Sequence, residues 1–219
     1  MFEFIFQNSQ LILEGFLLTV GITLFGIFLG LTLGILLTIG DLYGGKAVSA
    51  VIRVYVEFFR GSPLVVQLLI GRYFVPDVLH IPIDPYIVAF LVFGLNSAAY
   101  QKGYIKGAVE TVFDDQMMAG LSTGMSKAQT IYHVILPQAL RIVIPPWTNE
   151  FCSLTKSTAV LSYVGLMDLT GAGRTVMEYR VIETWIFIGI VYLAWITAFT
   201  KVADIIYEKK KIPGIELSV

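Results

Sequence analysis

Asn149, Glu150, Ser153, Lys156 and Ser157 place polar and ionisable side chains in an otherwise apolar stretch, residues 136 to 161. Asn149, Ser153, Lys156 and Ser157 fall at i, i+4, i+7 and i+8, one stripe on a helix. A charge inside a bilayer is costly, and its usual reason is a solute path or a buried partner. Glu150 and Lys156 stand six apart, off one another's face, so each needs a counter-charge elsewhere. Two further sets share this character. Asn96 and Tyr100 lie one turn apart on one face of residues 86 to 107. Gln67 follows Pro63 by one turn in residues 46 to 74. Such groups can hydrogen-bond and ion-pair a polar solute; they can equally bond helix to helix.

The elements that hold these groups are membrane helices. Of 219 residues, 56% are hydrophobic and 14% charged, against roughly 25% charged in a soluble domain, and mean hydropathy is +0.77. The expected class is an all-α integral membrane protein, one domain over residues 1–219. Five transmembrane helices are expected at about 10–40, 46–74, 86–107, 136–161 and 184–208. A formal charge of −1 gives no basic excess for nucleic acid. The lone Cys152 excludes an internal disulfide and a cysteine metal cluster, and His80 and His133 sit far apart, so no metal site is expected. No nucleophile–base pairing suggests an enzyme. The N-terminus lacks a basic region and a cleavage site, so no removable signal peptide is read.

Within that frame, residues 10 to 40 carry one charge, Glu14, and exceed a ~30 Å hydrocarbon core at about 1.5 Å per residue. Gly26, Gly30 and Gly34 recur on one face, as do Gly15, Thr19 and Thr23, which is close helix packing rather than transport chemistry. Gly61-Ser62-Pro63 breaks the second segment. The break is either a path element or an interfacial bend with Arg60 reaching to headgroups. Residues 72 to 85, with three prolines and two aspartates, read as a connection, and Pro145-Pro146 breaks the fourth segment. Residues 162 to 183, with Asp168, Arg174, Glu178, Arg180 and Glu183, read as a structured outer loop. Beyond Lys209, Lys210 and Lys211 follows a tail with Pro213-Gly214.

A polar, helix-prone island, residues 118 to 137, separates the third and fourth segments. Gly124 reads as the end of one helix, Ser126 as the N-cap of the next, and Pro137 as its stop or kink. It is either an ordinary loop or a shape for another protein to grip. Lys46, Lys102, Lys106, Lys127, Lys201 and Lys209 to Lys211 lie on one side of a five-span topology, with Arg72, Arg174 and Arg180 on the other. The positive-inside rule then sets the N-terminus outside and the island and C-terminus in the cytoplasm.

The island resembles the coupling-loop signature of ABC importer permeases, with Ala119, Gly124, Val134, Leu136 and Pro137 at matching intervals. Arg60-Gly61-Ser62-Pro63-Leu64-Val65-Val66-Gln67 and Asn96-Ser97-Ala98-Ala99-Tyr100 resemble motifs of the polar amino-acid subgroup. So do Asn149-Glu150-Phe151, Lys156-Ser157-Thr158-Ala159 and the block from Gly165 to Thr170. These motifs run collinearly along nearly the whole chain. Two departures stand out. Met118 occupies the position of the family's coupling glutamate, with Gly120 for the second alanine, and Gln101-Lys102 replaces the Ala-Glu usual after the tyrosine. Pairing with a second subunit that retains the missing charges would explain the latter.

The resemblance implies a type I ABC importer-like fold and an ATP-driven amino-acid importer working by alternating access in the prokaryotic plasma membrane. An ion-coupled secondary transporter or small channel is the alternative, and no internal repeat supports it. The implied partners are a second permease subunit (a homo- or heterodimer), two ATPase subunits holding ATP and Mg, and an extracytoplasmic amino-acid-binding protein. The chain itself is expected to bind no cofactor and catalyse nothing. The implied path residues are Gln67, Asn96, Ser97, Tyr100, Thr148, Asn149, Glu150, Ser153 and Lys156. Glu150 would answer an α-ammonium, and Lys156 or neutral donors the carboxylate. Met118, Ala119, Gly120, Leu121, Gly124, Met125, Leu136 and Pro137 would seat the ATPase, with Met118 and Leu121 packing apolar surface.

Overall fold

The computed structural model describes residues 6–177 and 180–210; Glu178, Lys211, Pro213 and Gly214 lie outside them. Every regular element among the described residues is helical. Helix α1 (Ser9–Tyr43) turns at Gly44-Gly45 into α2 (Gly45–Gly61). After Pro63, α3 runs through Leu64–Leu69, Ile70–Phe74 and Val75–Leu79. Helix α4 (Pro85–Ser122) is followed by α5, made of Lys127–Thr130, Ile131–Ile135 and Leu136–Ile142. Then come α6 (Ile144–Ser157), a 3-10 stretch (Thr158–Val164), α7 (Leu169–Val176) and α8 (Val181–Lys210). Helices α1 and α8 are each long and apolar enough to cross a membrane, and α2 with α3 qualify together though bent by 107°.

The bundle is organised by α1 lying along α4, its most extensive neighbour. A Cβ on Gly26 would meet that of Phe93 at 3.4 Å, one on Gly30 the Ser97 hydroxyl at 2.8 Å, and one on Gly34 the Gln101 Cβ at 3.1 Å. Both series climb by four, so the two helices run in the same direction with backbones close, as small residues permit. The Gly15–Thr19–Thr23 face meets a different neighbour: Thr19 Oγ1 accepts from the Leu169 N–H at 3.1 Å, fastening the start of α7 to α1.

Three sequence expectations change. The third helix does not end near Gly107 but continues to Ser122, because Ile105, Ala108, Val109 and Val112 bury against Ile135, Ala139 and Ile142 of α5. The first arm of the polar island is thus the end of α4. Residues 72 to 79 are helical rather than a connection, and of the stop or kink read at Pro137 the stop is excluded, since α5 passes through it. Both cases have one cause. A helical proline clashes with the carbonyl four residues back. Before Pro76, Val75 donates five back to Ile70; before Pro137, Leu136 donates five back to Ile131. Each widened turn moves the obstructing carbonyl away, so the helix continues. Pro145 and Pro146 sit in the first turn of α6, where a missing N–H costs no bond.

Candidate functional site

The break at Pro63 sets up the site. Pro63 has no N–H, so the Phe59 carbonyl loses its helical donor. Gln67 Nε2 donates to that carbonyl at 2.9 Å and to the Ser62 carbonyl at 3.0 Å. Asn96 Nδ2 donates to the same Phe59 carbonyl at 3.0 Å and to Gln67 Oε1 at 3.1 Å. Two residues read from sequence as path-lining therefore stitch the broken helix to α4. Gln67 is consumed by this task, whereas Asn96 also faces a cleft.

That cleft, about 580 Å³, lies between the break, α4 and α6. Arg60 and Ser62 line it from the break, Asn96, Tyr100 and Tyr104 from α4, and Asn149, Glu150, Ser153 and Ser157 from α6. Its volume suits a small polar molecule. The Arg60 guanidinium lies over the Tyr100 ring, 5.3 Å from its centre, a cation–π contact that holds the side chain toward the cleft. Across from it Glu150 is buried. Ser97 Oγ donates to Glu150 Oε1 at 2.9 Å and Tyr104 OH to Oε2 at 3.4 Å. Behind Ser97, Gln101 Nε2 donates to the Ser97 hydroxyl at 3.0 Å and to the Ile27 carbonyl at 3.0 Å. The carboxylate is thus held by a relay that runs through α4 into α1.

Of the nine residues singled out from sequence, Asn96, Tyr100, Asn149, Glu150 and Ser153 come together at the cleft. Gln67, Ser97 and Thr148 are buried beside it; Thr148 Oγ1 donates to the Ile144 carbonyl at 2.9 Å. Lys156 is exposed and does not line the cleft, although it shares the stripe of Asn149, Ser153 and Ser157. The cation at the cleft is Arg60, which sequence reading left among the motif residues. Tyr104 was also missed, though Asn96, Tyr100 and Tyr104 at i, i+4 and i+8 carry the signal on one face. Lys102, at the unusual Gln-Lys pair, finds its counter-charge within the chain: its Nζ donates to Asp41 Oδ2 at 2.6 Å, beside Lys106 at 3.2 Å.

The island is a sharp helical turn. The Gly124 N–H bonds to the Leu121 carbonyl and the Met125 N–H to that of Gly120 at 3.1 Å, with Gly124 left-handed at φ 85°. Ser126 and Gln129 then form a reciprocal cap: the Gln129 N–H donates to Ser126 Oγ at 3.3 Å and the Ser126 N–H to Gln129 Oε1 at 2.8 Å. Gly120 packs on the Thr130 side chain, leaving no room for a Cβ. Met118, 64% exposed, Ala119, Leu121 and Pro137 face outward; Met125 and Leu136 are half-buried. An exposed methionine and leucine on a capped turn make an apolar surface patch.

Residues 12–211 match the family described as binding-protein-dependent transport system inner membrane component. The chain belongs to this family. It is a membrane permease component of such a transport system. It is 33% identical over 192 residues to the glutamine transport system permease protein of Escherichia coli (strain K12), covering 86% of this chain and 88% of that one. It is 30% identical over 204 residues to an arginine transport system permease protein of Bacillus subtilis (strain 168), covering 91% and 92%. Among solved structures, one described as an amino acid ABC transporter with histidines superposes with TM-score 0.87 at 27% identity, over 95% of this chain and 98% of that chain. The methionine ABC transporter MetNI in an inward-facing form superposes with TM-score 0.69 at 19% identity, over 93% and 96%, and shares the fold. The permease is therefore built on an ABC transporter membrane fold, as its motifs implied.

Proposed function

We propose that this permease forms the translocation path of an ATP-driven amino-acid importer. The observation that carries the reading is one cleft presenting Arg60 and a buried, twice hydrogen-bonded Glu150. Opposite charges on facing walls match a zwitterion: Glu150 receives the α-ammonium and Arg60, in place of Lys156 or neutral donors, the α-carboxylate. Asn96, Tyr100, Asn149 and Ser153 supply neutral hydrogen bonds. Relatives named for glutamine and arginine transport support the substrate class.

In this reading the chain makes five passes, which the parallel run of α1 and α4 supports: out to in by α1, back by α2 and α3, in by α4, back by α5 and α6, and in by α8. The lysines gathered on one side support placing the N-terminus outside and the α4–α5 turn in the cytoplasm. A second permease subunit pairs with this chain, and two ATPase subunits holding ATP and Mg take the turn around Met118, Ala119, Gly120, Leu121, Gly124, Met125, Leu136 and Pro137. An extracytoplasmic binding protein delivers the substrate. ATP-driven closure of the ATPases rocks the helices about the cleft.

Uptake of labelled amino acids by proteoliposomes holding the whole complex tests this. Glu150→Gln and Arg60→Gln should each abolish most uptake while the ATPase still co-purifies. Intact uptake in both variants would sink the zwitterion reading, and uptake without nucleotide would sink the ATP-driven one.

A further inference from the structure

A groove of about 410 Å³ at the end of α8 carries charge that neither the cleft nor the α4–α5 turn uses. Arg141 enters it from the end of α5, and Lys209 and Lys210 from the last turn of α8. Leu140, Ile144 and Ile206 supply apolar wall. Among the described residues three cations line this groove and no carboxylate does. Among the described residues none of the three takes part in an ion pair. Like charges on the walls of one groove raise the local attraction for an anion.

The groove's position says which anion. Helix α8 is apolar enough to cross a membrane, and it exposes Val202, Ile205 and Ile206 ahead of its terminal Lys209 and Lys210. The groove therefore sits where a hydrocarbon-facing surface gives way to a charged one. A headgroup phosphate placed there would meet the planar Arg141 fork and two ammonium groups. An acyl chain leaving it would run along Ile206 toward Val202. Basic pockets between membrane helices near the cytoplasmic surface bind anionic headgroups in this way. We infer that the groove framed by Arg141, Lys209 and Lys210 binds an anionic phospholipid, tying the arm after the coupling turn to the last helix. A soluble anion would use the cations but leave the apolar wall unmatched.

The intact complex, reconstituted in nanodiscs of phosphatidylethanolamine and phosphatidylglycerol and then extracted into mild detergent, tests this by quantifying retained lipid. Removing the cations as Arg141→Gln, Lys209→Gln and Lys210→Gln should weaken phosphatidylglycerol retention about fivefold per charge. Phosphatidylethanolamine should not change, and Lys201→Gln, on α8 outside the groove, should have no effect. Unchanged phosphatidylglycerol in the triple variant overturns the inference, as does loss of ATPase co-purification with the lipid unaltered, which would make the groove a protein contact. Displacement of the lipid by inorganic phosphate alone would also overturn it. Should the triple variant not fold, a photo-crosslinkable phosphatidylglycerol on the unsubstituted complex decides: adducts are expected at Leu140 or Ile206, and adducts confined to other segments refute the site.

Discussion

Ser97 Oγ donates to Glu150 Oε1 at 2.9 Å, across fifty-three residues of sequence, and the same hydroxyl accepts from Gln101. The carboxylate that faces the cleft is therefore positioned from α4, not from its own helix. Ser97→Ala removes one donor from a buried charged acceptor, a loss of about 1–3 kcal/mol. Uptake should fall at least tenfold with the complex still assembled, whereas Ser97→Thr, if it fits, should retain activity. Equal uptake by Ser97→Ala and the native protein would detach the relay from transport.

Arg60 and Lys156 offer a direct contrast. Arg60→Gln should raise the substrate concentration for half-maximal uptake by about 10-fold or more, the value of one charge-assisted bond. Arg60→Lys should recover only part, since the planar fork and its stacking on Tyr100 are lost. Lys156→Ala, outside the cleft, should transport nearly normally. A larger defect for Lys156→Ala than for Arg60→Gln would reverse the assignment.

Gly30 tests the packing beneath the relay. A Cβ there would lie 2.5 Å from Gln101 Nε2 and 2.8 Å from Ser97 Oγ. Gly30→Ala should destabilise the protein by about 1–3 kcal/mol through overpacking, seen as a lower unfolding temperature in detergent. Gly21→Ala, with nothing within 4 Å of the added atom, should leave that temperature unchanged.

Asp41 binds Lys102 and Lys106 and accepts from Ser49, joining α1, α2 and α4, with only 12% and 10% of the Lys102 and Asp41 side chains exposed. Lys102→Met alone should cost about 1 kcal/mol, since Asp41 keeps Lys106 and Ser49 as partners. Lys102→Met with Asp41→Asn should cost less than the single change. Additive losses in thermal unfolding would show that the pair is not coupled.

Met118→Glu places a carboxylate on the exposed turn where the family's coupling residue is expected. ATP hydrolysis stimulated by the loaded binding protein should change by about 2-fold or more if the position touches the ATPase, as a rim or partly buried contact does. Hydrolysis identical to the native complex would put the contact on Leu121 and its neighbours instead.

Composition and local chemistry were enough to set several features. The apolar excess dictates membrane helices, Gly124 with Ser126 dictates the turn, and the glycines at 26, 30 and 34 dictate a close partner, because each rests on neighbours only a few residues away. Collinear motifs likewise placed the chain in its family. What the sequence by itself did not determine is which side chains meet. Lys156 looked like the cation of the site, yet Arg60, from another helix, lines the cleft and Lys156 does not. Gln67 looked like a path residue, yet the carbonyl orphaned by Pro63 claims it. Residues 72 to 85 looked like a connection and Pro137 like a stop or kink, yet widened turns before Pro76 and Pro137 let the helices run on. In each case the outcome depends on where an unsatisfied group or a crowded atom finds relief, and that is decided by tertiary neighbours.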